Sequence, residues 1–239
     1  HPFWFTLCSG VMDLLPLPFA NWFAARGWAS HADQLELIAR AAPGAADLLI
    51  APTGGGKTLA GFLPSLIELA ADPAPGLHTL YVSPLKALAV DVARNLMTPV
   101  EEIGLDIKIE TRTGDTPAHK RQRQRRTPPD ILLTTPEQLA LFIASEHAAE
   151  FFADLKCVII DEIHAVAPSK RGDLLNLGLA TLAKWAPACR FIGLSATVHD
   201  PAVLQTWLAV RGDRPRVITA EGGVHADVDI LISDERIPW

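Results

Sequence analysis

Cysteine is scarce in this chain of 239 residues, and the scarcity excludes two architectures. Cys8, Cys157 and Cys189 are odd in number and lie at no metal-ligand spacing, so neither a disulfide framework nor a zinc motif is read here. They read as reduced thiols of a cytosolic protein. Long apolar runs are missing too: none reaches the ~18–20 residues that a membrane span needs. The apolar start His1-Pro2-Phe3-Trp4-Phe5-Thr6-Leu7 lacks a basic leader and a small-residue cleavage site, so residues 1–11 are expected to be an extension outside the fold, with Met12 the natural start. Positive charge is short overall, the net charge being −6. Any nucleic-acid contact must therefore come from local clusters rather than a basic surface. Internal repeats and low-complexity tracts are absent. What is abundant is hydrophobic residues, 49% against 20% charged, which argues against disorder and allows one large domain with a sizeable core.

Short aliphatic runs alternate with helical patterns. The runs are Asp47–Ala51, Thr79–Ser83, Ile107–Thr111, Ile131–Thr134, Cys157–Asp161, Phe191–Ser195 and Arg216–Thr219. Most are continuously apolar, as strands covered on both faces of a parallel sheet are. Helices are predicted over Ser30–Ala42 with Ser30 as N-cap, Lys57–Ala71, Leu85–Ile103, Pro136–Ala144, Leu174–Trp185 and Pro201–Leu208. The alternation predicts an α/β fold, a doubly wound, mostly parallel sheet flanked by helices, spanning residues 12–220. Glu221-Gly222-Gly223 reads as a linker, and Asp227–Ile232 as a strand opening a further domain within 221–239.

Ala51-Pro52-Thr53-Gly54-Gly55-Gly56-Lys57-Thr58 fits the [AG]-x4-G-K-[ST] phosphate-binding loop. Glycines let the backbone curl so that N–H groups point at phosphate oxygens, and the helix that follows adds its positive dipole end. Lys57 is suited to the β- and γ-phosphates of ATP, and Thr58 to a Mg²⁺ ion. A glycine-rich turn with an incidental Lys-Thr is the plainer reading, which the strand before and the apolar helix after disfavour. Asp161-Glu162-Ile163-His164 follows the apolar run Val158-Ile159-Ile160. Two carboxylates there need cations or partners: Asp161 is suited to hold Mg²⁺, and Glu162 to orient and deprotonate the attacking water. An acidic helix N-terminus would look the same in isolation. His164 reads as a zinc ligand, a core histidine, or a coupling residue bonded towards Ser195-Ala196-Thr197; no zinc partner stands at the right spacing, and coupling is preferred. Ser195 and Thr197 read equally as caps for the Pro201 helix.

With these residues in order, the chain resembles a superfamily 2 DEXH-box helicase. More narrowly it resembles the large helicase-related (Lhr-type) proteins, and especially the ligase-associated DEXH-box helicases of bacterial DNA repair. The resemblance covers nearly all of Leu17–Trp239 and rests on Ala51–Thr58, Tyr81–Leu88, Arg112–Thr116, Leu133–Leu139, Asp161–His164 with Pro168–Gly172, and Gly193–Thr197. It implies a RecA-like P-loop NTPase domain, the first of two, with ATP and Mg²⁺ as cofactors. It implies DNA-driven ATP hydrolysis, 3′–5′ translocation on a single strand, and unwinding, in the bacterial cytosol or nucleoid. Gln34 resembles the glutamine that reads the adenine edge, its alternative being a solvated helix position. Ser83, Pro84, Lys86, Thr113, Gly114, Thr135 and Pro136 resemble the segments that track the strand's phosphates, and Lys170 and Arg171 match family DNA contacts. Hydroxyls and helix N-termini hold backbone phosphate without reading bases, which suits a moving motor. His119–Arg126 is the strongest basic cluster and reads equally as DNA-proximal or as a solvated helix face; Arg94 reads as a surface charge.

No second RecA-like domain, late arginine finger or winged-helix module is found in the sequence. The expectation is an N-terminal portion of a longer helicase that binds nucleotide weakly, hydrolyses it poorly and does not unwind alone. Expected partners are single-stranded or partly duplex DNA (RNA or a hybrid as the alternative), the remaining helicase domains and, by resemblance, a repair ligase or nuclease; no membrane is expected. Two competing functions are a nucleotide-gated nucleic-acid clamp and a phosphate-loop kinase or metabolic ATPase. The second gives Ser83–Leu88, Thr134–Leu139 and Ser195–Thr197 no role.

Overall fold

The computed structural model describes residues 14–52 and 54–220. The expected extension 1–11, Thr53, and the expected linker and strand within 221–239 lie outside the described residues. Seven strands form one sheet in which every recorded pairing is parallel: β1 (Ala46–Ile50), β2 (Thr79–Val82), β3 (Ile109–Arg112), β4 (Ile131–Thr134), β5 (Cys157–Ile160), β6 (Arg190–Ser195) and β7 (Arg216–Thr219). Their order is β3-β4-β2-β5-β6-β1-β7.

The continuously apolar strands are buried on both faces, because successive side chains point to opposite sides. Leu48, Ile50, Leu80, Val82, Leu132, Val158 and Ile160 pack on one side against α6 (Pro136–Ile143), α7 (Ala148–Phe151), α8 (Ile163–Val166), α9 (Lys170–Trp185) and α10 (Pro201–Leu208). Leu49, Tyr81, Leu133, Ile159, Ile192 and Leu194 pack on the other against α1 (Leu17–Ala25), α2 (Ala32–Ala39), α3 (Lys57–Ala71) and α4 (Lys86–Ile103). The fifth helix in chain order, α5 (Ala118–Arg126), lies against the edge strand β3.

All seven strands expected for this region are present, with boundaries shifted by a residue or two, most at β3. The helices differ more. α2 begins at Ala32 with His31, not Ser30, at the N-cap, because the Gln34 side chain reaches back to the His31 N–H. α9 begins at Lys170 rather than Leu174, because Ser169 accepts the Gly172 N–H at its N-terminus. Neither Ser195 nor Thr197 caps α10; the Asp200 side chain does, through the Ala202 N–H.

The strand order sorts the motifs. β5, β6 and β1 are neighbours, so their carboxyl ends bring Asp161, Ser195 and the loop 51–58 together. β2, β4 and β3 lie on the other side of β5, and their carboxyl ends carry Ser83, Thr135 and Thr113. Chain order interleaves the two groups; the crossovers separate them.

Candidate functional site

The loop after β1 turns on two left-handed glycines, Gly54 (φ +83°) and Gly56 (φ +73°). At Gly55 a Cβ would stand 3.1 Å from the Pro52 carbonyl oxygen, so the curl needs an absent side chain there as well. α3 then starts at Lys57, whose side chain is only 7% exposed. Its ammonium makes no hydrogen bond among the described residues; the nearest carboxylate oxygen, Glu162 Oε1, is 3.6 Å away. A buried ammonium without a hydrogen bond is costly. Beside a glycine curl and a helix N-terminus it fits an anion of phosphate type. Thr58 is half-buried at the start of α3 and borders a small cavity with Asn95 and Pro99 of α4.

Opposite the loop, Asp161 is buried. Tyr81 on β2 donates its phenol O–H to Asp161 Oδ2, and the Glu162 N–H donates to Oδ1 at 2.9 Å. Burial and the neighbouring Glu162 charge push the Asp161 carboxyl above its usual range, against the Tyr81 and backbone bonds and the Lys57 charge. Burial, then the charge of Asp161, drives the Tyr81 phenol far above its usual range, so it remains a donor. A carboxylate held this way would be favoured by a divalent cation. Among the described residues no cluster of three His, Cys, Asp or Glu side chains could hold a metal by itself. A cation here would need phosphate oxygens or water to complete its shell, which Mg²⁺ accepts.

Glu162 is the one non-glycine residue with positive φ among those described (φ 47°, ψ 44°). This turn starts α8 and places His164 beneath β6. His164 Nδ1 accepts the Ala196 N–H at 3.3 Å and lies 3.3 Å from Ser195 Oγ. A nitrogen that accepts an N–H holds no proton, so the Glu162 Oε2 atom 3.4 Å from it is not an ion-pair partner in this arrangement. The expected link between the Asp-Glu box and Ser195 is therefore present through His164. Thr197 is exposed and its side chain makes no hydrogen bond among the described residues.

Gln34 is buried, its Oε1 accepting the His31 N–H at 3.0 Å. Its amide nitrogen faces Gly56, 3.4 Å from where a Cβ would stand. The solvated alternative for Gln34 is thereby excluded, and the residue abuts the loop.

The second group is tied together across four segments. Ser83 is fully buried and its hydroxyl donates to the Leu85 carbonyl. Lys86 pairs with Asp115. The Thr113 N–H donates to Thr116 Oγ1 at 2.9 Å, and Arg121 donates to the carbonyls of Thr116 and Gly114, both at 2.8 Å. Thr135 and Pro136, both buried, form the start of α6. Lys170 is exposed at the start of α9. Arg171, expected at a strand-contact position, brackets the site: Nη2 donates to the Pro84 carbonyl at 2.7 Å and Nε to Glu137. Its planar fork supplies both bonds from separate nitrogens. Burial raises the Glu137 carboxyl, but the Arg171 bond, its own backbone N–H, Thr135 and the Arg171 charge together outweigh it, leaving that carboxyl below its usual range.

Tyr81, Asp115, Arg121 and Glu137 were missed as site residues. Tyr81 carried one legible signal: a phenol in a run otherwise apolar needs a buried partner.

The profile of the DEAD/DEAH box helicases matches residues 31–205, which include every motif just described. The chain belongs to that helicase family. Among its relatives, the Lhr helicase of Mycolicibacterium smegmatis is 44% identical over 213 residues, covering 83% of this chain and 14% of the relative. The ATP-dependent helicase Lhr-Core of Methanocaldococcus jannaschii is 36% identical, covering 84% of this chain and 26% of the relative. The solved structure of Mycobacterium smegmatis helicase Lhr bound to ssDNA and AMP-PNP is similar, with a TM-score of 0.79 and 40% identity over 88% of this chain and 28% of that one. The chain thus spans between about a seventh and a quarter of the length of these relatives. The RecA-like layout of this helicase domain follows from the same match.

Proposed function

We propose that this chain is the ATP-binding motor domain of an Lhr-type, DNA-dependent ATPase and helicase, acting 3′ to 5′ on single-stranded DNA in DNA repair, and akin to the ligase-associated members. The observation that carries the reading is the buried Lys57 ammonium, without a hydrogen bond among the described residues in a glycine-lined loop, and with the Glu162 carboxylate 3.6 Å away. The Lhr structure bound to ssDNA and AMP-PNP supports it.

Gly54, Gly55 and Gly56 with Thr53 cradle the phosphates, Lys57 meets the β- and γ-phosphates, and Gln34 reads the adenine edge. Thr58 and Asp161 would hold a magnesium ion, which when bound would neutralise charge on the phosphates. Tyr81 orients Asp161 towards that ion. Glu162, whose carboxylate lies 3.6 Å from the Lys57 ammonium without a hydrogen bond to it, takes the proton of the attacking water. His164 and Ser195 carry the state of that site into β6, with Thr197 beyond. Ser83, Pro84, Lys86, Thr113, Gly114, Thr135, Pro136 and Lys170 line the strand path, and Arg171 holds two of its segments in register. The expected locale is the bacterial cytosol or nucleoid, and the transition-state arginine comes from the rest of the longer protein.

The test is ATP hydrolysis by this chain and by the full-length protein, with and without single-stranded DNA, with Lys57→Ala as control. DNA-stimulated turnover confined to the full-length protein and abolished by Lys57→Ala is expected. Turnover indifferent to nucleic acid in both forms would refute the motor reading; strong stimulation of the chain alone would refute its dependence on the remainder.

A further inference from the structure

α5 carries Lys120, Arg121, Arg123, Arg125 and Arg126 and no acidic residue, in a chain whose net charge is −6. It starts beside the Thr113–Thr116 loop, which Arg121 holds, and runs back along β3, where Arg123 and Gln124 bond Glu110. β3 is the edge of the sheet, so the outer side of this helix is bounded by no further strand. Helical spacing puts His119, Gln122, Arg123 and Arg126 on one exposed face, with Arg125 beside them. Arg123 is paired with Glu110, while Arg125 and Arg126 make no ion pair among the described residues.

Beneath α5 lies Arg112 at the end of β3. It is 5% exposed, its guanidinium sits 3.8 Å from the Phe142 ring centre, and its Nη1 makes no hydrogen bond among the described residues. Burial, then the charges of Arg125 and Arg121, lower its pKa to about 10. Arg112 and the five cations of α5 thus share one region with three carboxylates: Glu110, which pairs with Arg123, and Glu150 and Asp154, which line a groove with Arg125 and Arg126. Such a surplus of positive potential favours a polyanion on the outer surface.

We propose that α5 is a continuation of the nucleic-acid track: the DNA backbone that passes Thr113 and Gly114 turns down the sheet edge with its phosphates along His119, Arg125 and Arg126. This rests on the strand-tracking role proposed above. Nine helical residues span about 13 Å, room for about four phosphates at the ~3.4 Å spacing of a stacked strand. Nothing on this face reads bases; the contacts are charge to phosphate and sequence-independent. Arg121 and Gln124 fasten the helix to the loop and to β3, so the path keeps a fixed angle to the first stretch.

The test is fluorescence anisotropy of this chain with labelled oligodeoxythymidylates of ~6 and ~10 nucleotides, the longer adding about four phosphates, over a range of salt concentrations. The variant is His119→Gln, Arg125→Gln, Arg126→Gln, which leaves Arg121, Arg123 and Gln124 in place. On the longer oligomer it should bind about tenfold more weakly and with a log–log salt slope shallower by about 1.4, at ~0.7 for each of the two lost arginine–phosphate contacts. Its affinity for the shorter oligomer, also the control for folding, should match wild type. Equal affinity and slope for variant and wild type on the longer oligomer would overturn the proposal. So would a wild type that gains nothing from the added nucleotides while binding the shorter one. Wild type binding neither oligomer would instead defeat the strand-tracking role itself, and this proposal with it.

Discussion

Glu162 occupies left-handed backbone (φ 47°, ψ 44°) at the turn between β5 and α8. For an L-residue this region costs about 1–2 kcal/mol, because Cβ crowds the following carbonyl. Glycine avoids that cost but gives up about 0.5–1 kcal/mol of additional chain entropy on folding. Against Glu162→Gln, which keeps the strained backbone, Glu162→Gly should therefore be more stable by roughly 0–1.5 kcal/mol. Both variants remove the same charge facing Lys57 at 3.6 Å, so that loss cancels in the comparison. For a domain of this size 1 kcal/mol moves Tm by about 2–4 °C. Calorimetric melts of the two variants at neutral pH should place Gly above Gln by a few degrees at most, while both lose hydrolysis in the full-length protein. Strain held at the residue proposed to act as the base is the expected pattern of a site kept for function. A Gly variant that melts below the Gln variant would refute the reasoning, showing that the local structure favours this backbone without strain.

Three further outcomes are expected. Tyr81→Phe leaves the buried Asp161 Oδ2 without its phenol donor, so the fold should lose about 1–3 kcal/mol; because that bond lowers the Asp161 pKa, the loss of magnesium-dependent nucleotide binding on acidification should also begin at higher pH, and unchanged acid behaviour on titration would count against the bond. Burial raises the Glu68 carboxyl, but bonds and charge from His78 and Arg190 outweigh it and hold its pKa at about 2, against 4.5 unperturbed. A pKa lowered on folding contributes stability that is complete above the unfolded value and disappears as pH falls through the folded one, so in urea melts the advantage of wild type over Glu68→Gln should shrink between about pH 4.5 and 2 and be flat above that window. At Gly172 an added Cβ would stand 2.3 Å from the Val166 carbonyl oxygen, whereas at Gly193 the nearest atom, 2.8 Å away, is the end of the Leu208 side chain. Backbone cannot yield as a leucine terminus can, so Gly172→Ala should cost more than the ~1–3 kcal/mol of ordinary overpacking and Gly193→Ala should fall within it, the order in chemical melts being the check.

Much of the fold was legible because apolar continuity and glycine placement are local signals. Cys157–Ile160 reads as a buried strand from its own residues, and Gly54, Gly55 and Gly56 with Lys57 read as a phosphate cradle without knowledge of any neighbour. Helix starts were harder, because capping depends on which side chain turns back. The Gln34 amide reaching the His31 N–H displaced the expected Ser30 cap, and Ser169 drew the start of α9 four residues upstream. Arg171 shows what sequence left out. The family resemblance suggested a strand contact, and the structure adds that its donors reach Pro84 and Glu137, residues 87 and 34 positions away.

The order of residues alone settled the kind of protein this is: a doubly wound sheet, a phosphate loop with its Asp-Glu box, and membership of a helicase lineage. Those depend on side-chain size, backbone freedom and charge within a few neighbouring positions. Only the tertiary structure decided which motifs meet. The order β3-β4-β2-β5-β6-β1-β7 divides the segments proposed to track the strand from the proposed nucleotide site, sets Tyr81 on Asp161, and places α5 at the edge strand β3, where Arg125 and Arg126 make no ion pair among the described residues. Hydrogen bonds and desolvation act over a few ångströms of space, and crossovers between parallel strands bring into that range residues that the chain holds 80 positions apart.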